Sequence, residues 1–201
     1  MDRRERARRV SHYFDATPLT DDERRTVTVE VWGNRREYVT STGVFSGGSL
    51  DKATAILLSE STPPPVGSVV LDLGCGWGPI ACSLAEAGST VWAVDVNERA
   101  LELTAQNAAG LDVHPALPDQ VPSDLRFDAI WSNPPIRIGK DALHELLLTW
   151  LPRLKTGGEA RLVVGKNLGA DTLQRWLVDQ GYPTERVASS KGFRVLSARR
   201  P

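Results

Sequence analysis

The chain has 201 residues, of which 41% are hydrophobic and 24% charged, a composition typical of a globular protein with a sizeable core. Its formal net charge is −1, so the total charge gives no sign of a nucleic-acid-binding protein, and any such role must depend on local patches. No apolar run is long enough to span a membrane, and no apolar segment follows the first arginines. We therefore expect a cytoplasmic protein without a membrane partner.

The first 48 residues are predicted to form an extension that precedes the main fold. Residues 3–9 are rich in arginine and form either a short helix that binds phosphate or a solvated end. Residues 26–32 and 36–40 alternate apolar and polar side chains, which predicts two strands. Gly33-Asn34 fits the two-residue turn of a β-hairpin between them.

After a glycine-bearing loop, Ser49 is predicted to cap a short helix, and three prolines then close the extension. Strands and helices alternate from there on. The predicted strands are residues 69–73, 90–94, 128–131 and 160–164, and the predicted helices are residues 80–87, 98–109, 141–154 and 171–179. Two extended runs, residues 184–188 and 193–198, end the chain as an antiparallel hairpin.

This alternation predicts an α/β fold with a mostly parallel sheet, covered by helices on both faces. We expect a single domain over residues 1–201, with residues 1–48 as the N-terminal basic segment and β-hairpin and residues 49–201 as the core.

The glycine-rich turn after the first core strand is the main functional signal. Asp72 precedes Gly74, Gly76 and Gly78, and Pro79 stands where a helix begins. In such a unit the helix N-terminus and the bare glycine backbone face a ligand. Dinucleotide sites usually read G-x-G-x-x-G, whereas an acid at position 72 would repel a pyrophosphate and suits a cationic amino-acid tail. The D-x-G-x-G-x-G pattern resembles motif I of methyltransferases that depend on S-adenosylmethionine (SAM). The alternative is an ordinary strand–turn–helix unit of an unrelated α/β protein.

Asp95 ends the second core strand about 20 residues after the glycine turn, the spacing at which an acid reaches ribose hydroxyls. The alternative is an aspartate that caps the following helix, with Asn97 as another cap candidate. Val96 and Asn97 are expected to flank an adenine through the backbone, with residues 115–118, at the end of a third core strand, as its other neighbours. The predicted cofactor-binding residues are Asp72, Gly74, Cys75, Gly76, Asp95, Val96, Asn97, Ala116 and Asn133.

Asn133-Pro134-Pro135 follows the fourth core strand, at the sheet edge where open α/β sheets bind ligands. A planar amine conjugated to a base or an amide is a poor nucleophile because its lone pair is delocalised. The side-chain oxygen of Asn133 and the carbonyl of Pro134 can each accept one of its N–H hydrogens, which aims the lone pair at a sulfonium methyl. The tandem prolines restrict the backbone that carries both acceptors. The alternative is an ordinary Asn-Pro turn.

Four stretches resemble the methyltransferase small domain family, whose members are similar to 16S ribosomal RNA guanine-N2 methyltransferases. They are residues 43–46, 71–76, 132–137 and 191–196, and the resemblance extends over roughly residues 26–199. It implies a Rossmann-like seven-stranded sheet with an antiparallel C-terminal hairpin. It also implies SAM as the cofactor, S-adenosylhomocysteine as the product, and Asn133, Pro134 and Pro135 as the catalytic residues.

The family resemblance implies ribosomal RNA or the small ribosomal subunit as the partner. Many amino methyltransferases have an aromatic residue after Asn-Pro-Pro that stacks on the flipped target, and this chain has Ile136 there. Basic side chains nearby are either a rim for RNA phosphates or solvated surface cations. The predicted substrate-binding residues are Phe45, Ile136, Arg137, Lys140, Lys191 and Arg194. We expect a monomer or a weak homodimer.

No metal site is predicted, because the three histidines are scattered and there is no C-x-x-C motif. Two other enzyme substrates stay open, a protein glutamine N5 amide and another RNA or DNA base amino group. Glutamine methyltransferases usually continue Asn-Pro-Pro with tyrosine and have a helical substrate domain, and this chain shows neither. An alternative of another class is a SAM-binding accessory protein without turnover.

Overall fold

A computed structural model describes residues 24–41 and 49–201 of the chain. The arginine-rich segment and the loop that contains Phe45 lie outside the described residues. The described part begins with a two-stranded antiparallel hairpin of β1 (Arg24–Val31) and β2 (Asn34–Ser41). The predicted hairpin is therefore present, with slightly longer strands.

The hairpin turn consists of Trp32 and Gly33, and the prediction of Gly33-Asn34 is wrong by one residue. Both turn residues have positive φ, 49° at Trp32 and 83° at Gly33, as a type I′ turn requires. Asn34 is already a strand residue and pairs with Val31. A tryptophan with positive φ is uncommon, so the sequence favoured placing the glycine first.

Seven further strands form the main sheet. They are β3 (Val69–Leu73), β4 (Thr90–Val94), β5 (Val113–Ala116), β6 (Phe127–Ser132), β7 (Leu154–Gly165), β8 (Thr184–Ser190) and β9 (Phe193–Arg199). Their order is β5-β4-β3-β6-β7-β9-β8. The first five of these pair in parallel, and β9 runs antiparallel to both β7 and β8. The predicted mostly parallel sheet with an antiparallel C-terminal hairpin is confirmed.

The described residues contain five α-helices, of which the first precedes the main sheet. They are α1 (Lys52–Ser59), α2 (Pro79–Glu86), α3 (Glu98–Asn107), α4 (Lys140–Trp150) and α5 (Ala170–Asp179). Pro79 is the first residue of α2, as predicted. The cap of α1 is Asp51, whose carboxylate accepts from the Thr54 N–H at 3.0 Å. The prediction of Ser49 as the cap is wrong, because the helix begins at Lys52 and Ser49 lies too early to reach its first N–H groups.

Apolar side chains fill both faces of the sheet. Helices α4 and α5 pack on one face, and α1 and α2 pack on the other. In the predicted helix at residues 141–154, five apolar side chains are buried: Leu143, Leu147, Trp150, Leu151 and Leu154. The helix itself ends at Trp150, and a short 3-10 turn continues to Arg153. Pro152 lies in that turn and cannot donate an N–H to a continuing helix.

The N-terminal hairpin packs against α2 and α3, and its turn residue Trp32 meets Trp131 of β6 edge-on with 6.0 Å between ring centroids. Tyr38 is 1% exposed and meets the Trp77 ring edge-on with 5.1 Å between ring centroids. Asn107, the last residue of α3, donates from Nδ2 to the carbonyls of Val39 and Trp77, each at 2.8 Å, and accepts from the Val39 N–H at 2.7 Å. One buried amide thus joins the hairpin to the glycine-rich turn that contains Trp77.

Replacing Asn107 with alanine is expected to lower the free energy of unfolding by roughly 2–4 kcal/mol, because it leaves buried backbone groups without partners. Gln106→Ala is the matched control, since Gln106 is the exposed neighbour on the same helix, and a change within about 0.5 kcal/mol is expected there. Urea unfolding followed by tryptophan fluorescence measures both. Equal effects of the two substitutions would contradict the bridging role of Asn107.

Candidate active site

Three core strands end at one edge of the sheet, where the predicted site residues follow them. Leu73 of β3 pairs with Val94 of β4, and Asp72 of β3 pairs with Trp131 of β6. Asp95, which follows β4, and Asn133, which follows β6, therefore lie on opposite sides of the glycine turn that follows β3. The Ser132 hydroxyl donates to the Leu73 carbonyl at 2.6 Å, which fixes the end of β6 against the end of β3.

Two of the three glycines face open space. A Cβ atom added to Gly74 or Gly76 would meet nothing within 4 Å, and both have positive φ, 79° and 58°. The third, Gly78, has φ of 88°, and a Cβ there would meet Thr104 Oγ1 at 3.0 Å. Gly74 and Gly76 thus present bare backbone at the sheet edge, whereas Gly78 allows α2 and α3 to pack closely.

Two side chains of α3 that were not predicted to belong to the site hydrogen-bond to the backbone of the glycine turn. Thr104 Oγ1 donates to the Gly76 carbonyl at 2.9 Å, and Asn107 Nδ2 donates to the Trp77 carbonyl. Both side chains are buried, at 0% and 6% exposure. Two polar residues three apart among the apolar positions of a helix are the signal that could have found them.

Two backbone N–H groups orient the Asp95 carboxylate, and its contact with ribose hydroxyls stays a prediction. Its Oδ2 accepts from the Gly76 N–H at 3.0 Å, and its Oδ1 accepts from the Asn97 N–H at 3.0 Å. Asn97 is the cap of α3 and accepts from the Arg99 N–H at 3.1 Å. The carboxylate is half-buried. Each of its oxygens keeps a further lone pair, so it can also accept from two hydroxyls.

Asp72 is fully buried at the carboxyl end of β3. Its Oδ2 accepts from the Ala81 N–H in α2 at 3.0 Å, and its Oδ1 has no hydrogen-bond partner within the described ranges. Burial raises the pKa of Asp72 to about 8, with the charge of Asp95 adding to the rise and the Ala81 N–H opposing it. Asp72 is therefore a buried carboxyl near the glycine turn, with one oxygen that no described group satisfies.

The other residues proposed for cofactor binding differ in exposure. Cys75 is 4% exposed, and its thiol lies 3.6 Å from Thr104 Oγ1. Burial keeps the Cys75 pKa well above its usual value, so the residue faces the turn's interior as a neutral thiol. Cys75 and Cys82 are both free. Val96 is half-buried, and Ala116 is buried at the end of β5.

The amide of Asn133 has a defined orientation. Its Nδ2 donates to Asp51 Oδ2 at 2.8 Å and to Thr54 Oγ1 at 3.1 Å, at the start of α1. Among the described residues, none donates a hydrogen bond to the Asn133 side-chain oxygen. The NH₂ group of the amide is therefore hydrogen-bonded at the start of α1, and its oxygen is left as an acceptor at the sheet edge.

The two prolines form an inverse γ-turn. Pro135 has φ of −73° and ψ of 74°, and the Ile136 N–H donates to the Pro134 carbonyl at 2.8 Å. One lone pair of this carbonyl is used by the turn and one remains. Pro134 itself is buried, so its carbonyl is held in a fixed direction beside Asn133.

The predicted substrate-binding residues have different environments. Arg137, Lys140 and Lys191 are exposed, whereas Ile136 is partly buried against the core. Arg194 has an 11% exposed side chain that pairs with Asp171 of α5, so its charge is already compensated. Lys166, which was not predicted, is exposed directly after β7, and its N–H donates to the Gly192 carbonyl at 2.8 Å.

In the part of the chain that the structure describes, no three His, Cys, Asp or Glu side chains are grouped to hold a metal ion. No helix within that part is long and apolar enough to cross a membrane.

The fold, with an acid and a glycine turn at the carboxyl end of its first core strand, is that of Rossmann-like methyltransferases. The chain belongs to the methyltransferase small domain family, whose profile matches residues 35–197. It is 30% identical over 197 residues to protein YbxB of Bacillus subtilis (strain 168), covering 94% of this chain and 98% of that protein.

Longer relatives share the same region. The ribosomal RNA small subunit methyltransferase C of Ectopseudomonas mendocina is 34% identical over 202 residues, covering 92% of this chain and 57% of that protein. The T. thermophilus 16S rRNA N2 methyltransferase RsmC, solved with AdoMet and guanosine, superposes with a TM-score of 0.77 at 24% identity, covering 94% of this chain and 53% of that one. The chain therefore spans little more than half the length of these two relatives.

The raised pKa of Asp72 predicts a pH-dependent cost to stability. Between about pH 4 and pH 8 the folded protein keeps a proton that the unfolded chain releases, so this group's contribution to stability falls as pH rises. Asp72→Asn removes the charge and keeps an acceptor for the Ala81 N–H. We compare the unfolding free energy of this variant with that of the wild type at two pH values. The variant's advantage is expected to be roughly 3 kcal/mol larger at about pH 8.5 than at about pH 5.5.

Urea unfolding of both proteins at the two pH values measures this difference. A gain that does not change with pH would mean that Asp72 is already ionised in the folded protein.

Proposed function

We propose that this chain is a SAM-dependent methyltransferase that modifies an exocyclic amino group, with N2 of a guanine in 16S-type ribosomal RNA as the target. The observation that carries the proposal is a pair of neighbouring acceptors, the Asn133 side-chain oxygen and the remaining lone pair of the Pro134 carbonyl. An exocyclic amine has two N–H hydrogens, so two neighbouring acceptors match its chemistry.

The strand ends beside Asn133 suit SAM. When bound, SAM supplies an electrophilic methyl group on a sulfonium. Gly74 and Gly76 present bare backbone in front of open space. The unpaired Oδ1 of Asp72 would accept from the ammonium of the methionine part once this carboxyl has lost its proton. Asp95, oriented by two backbone N–H groups, would accept from the ribose hydroxyls. Cys75, Val96, Asn97 and Ala116 are proposed to line the same site through the backbone and apolar surface.

The proposed role of Asn133 and Pro134 is to orient the amine. Hydrogen bonds from both N–H groups to fixed acceptors turn the nitrogen lone pair towards the methyl donor and stabilise the positive charge that develops on nitrogen. The inverse γ-turn at Pro135 keeps the Pro134 carbonyl in place. A preorganised group of this kind contributes about 10²–10³-fold to the rate. No general base is required, because the amine becomes acidic only as the methyl is transferred.

Two observations favour RNA as the substrate. Relatives at 34% identity are named ribosomal RNA small subunit methyltransferases, and the strand edge that carries Asn133 also carries exposed Arg137, Lys140, Lys166 and Lys191. Lys191 belongs to this edge because the start of β9 pairs with the end of β7. These cations would bind phosphates, whereas the half-buried Ile136 offers apolar contact without aromatic stacking.

Replacing Asn133 with alanine is expected to lower methyl transfer to 16S rRNA by at least about 100-fold, because one of the two acceptors is lost. SAM affinity, measured by calorimetry, should change by less than about threefold, because the glycine turn and Asp95 are untouched. Asn167→Ala changes an exposed asparagine in the 3-10 turn after β7 (Lys166–Leu168); it is the control and should retain wild-type activity. Full activity of the Asn133 variant would rule out the mechanism.

A further inference from the structure

The start of α1 contributes to the same site, and this inference depends on the proposed function. We propose that Asp51 and Thr54 are positioning residues that fix the orientation of the Asn133 amide, so that its oxygen and not its nitrogen faces the amine to be methylated. Neither residue touches the reacting atoms in this proposal. Both act through Asn133.

The orientation follows from the chemistry of the Asp51 carboxylate. An ionised carboxylate only accepts hydrogen bonds, and Asp51 Oδ2 lies 2.8 Å from Asn133 Nδ2. In the opposite orientation the amide oxygen would face the carboxylate oxygen, and two acceptors at hydrogen-bond distance repel each other. That orientation would also present an NH₂ group to the substrate amine, where donor would face donor. The contact therefore selects the one orientation that can accept from the substrate.

Thr54 adds a second acceptor for the same NH₂ group. Its Oγ1 lies 3.1 Å from Asn133 Nδ2, and the residue is 5% exposed. Thr54 also donates its backbone N–H to Asp51 Oδ2 at 3.0 Å, so the three side chains form one connected group. A side chain held by such a network keeps its geometry without cost when the substrate arrives.

Buried packing and a hydrogen bond support this group from both sides. Helix α1 packs against the sheet through buried Ala53, Leu57 and Leu58. On the other side, Ser132, which precedes Asn133, is hydrogen-bonded to β3. Asp51 and Asn133 are 82 positions apart in the chain, so the contact exists only because α1 packs beside the carboxyl ends of the strands. Capping of α1 needs only the bond from the Thr54 N–H, and the bond to Asn133 is additional to it.

Asp51→Ser separates capping from positioning, because serine is a good helix cap but is shorter and carries no charge. In this variant kcat on 16S rRNA is expected to fall by about tenfold, with SAM affinity changed by less than about twofold. Thr54→Val, which removes only the hydroxyl, is expected to lower kcat by about threefold. Ser59→Ala, at the far end of α1 where the hydroxyl bonds the Ile56 carbonyl at 3.3 Å, is the control and should leave kcat unchanged.

A double-mutant cycle tests whether Asp51 acts through Asn133. Added to Asn133→Ala, the Asp51→Ser change is expected to alter kcat by less than about twofold, because there is no longer an amide to orient. A full tenfold loss on that background would mean that Asp51 acts independently of Asn133, and would overturn the proposal. A wild-type kcat in Asp51→Ser alone would overturn it as well.

The amide can also be followed without any substrate. In ¹⁵N–¹H spectra of the wild type, the Asn133 side-chain NH₂, assigned by its loss in Asn133→Ala, should give two distinct signals that shift in Asp51→Ser. Unchanged signals in that variant would overturn the proposal even if rRNA is not the acceptor. Conversely, shifted signals together with no methyl transfer to rRNA by the wild type would uphold the orientation and refute the proposed function.

Discussion

The hydrogen bond from the Asn133 amide to the Asp51 carboxylate is the contact on which the site depends. It requires α1 to begin at the carboxyl edge of the sheet and β6 to end there, and both conditions are met by buried packing on either side of the contact. Its consequence is chemical, because it commits the amide's donors and leaves its oxygen available. The adjacent carbonyl of Pro134, held by an inverse γ-turn, supplies the second acceptor.

The cofactor side of the site is organised by a different set of contacts. The glycine turn is bare towards solvent and supported from behind by Thr104 and Asn107 of α3. Asn107 also bonds Val39 in the N-terminal hairpin, so the hairpin stabilises the turn although it lies outside the main sheet. This arrangement gives the hairpin a structural role in the proposed SAM site, in addition to any contact with RNA.

Most of the fold was predictable from sequence, because apolar runs bounded by glycine or proline left few alternatives. The predicted bounds of β3 and β4 agree with the structure. Local signals failed where backbone conformation was unusual, as at Trp32 with its positive φ. They failed also where function depends on distant residues: nothing near Asp51 in the sequence indicates that it meets Asn133. The buried, ion-paired state of Arg194 likewise follows from α5 packing beside β9.

The central claim is that this site methylates an exocyclic amine of RNA, and product identification tests it most directly. The wild-type protein is incubated with SAM carrying a deuterated methyl group and with small ribosomal subunits, and the RNA and protein fractions are then digested and analysed by mass spectrometry. The account predicts deuterated N2-methylguanosine from the 16S rRNA. Label in glutamine of a ribosomal protein would contradict the RNA assignment. Label on a ribose oxygen or a ring carbon would contradict the amine mechanism built on Asn133 and Pro134.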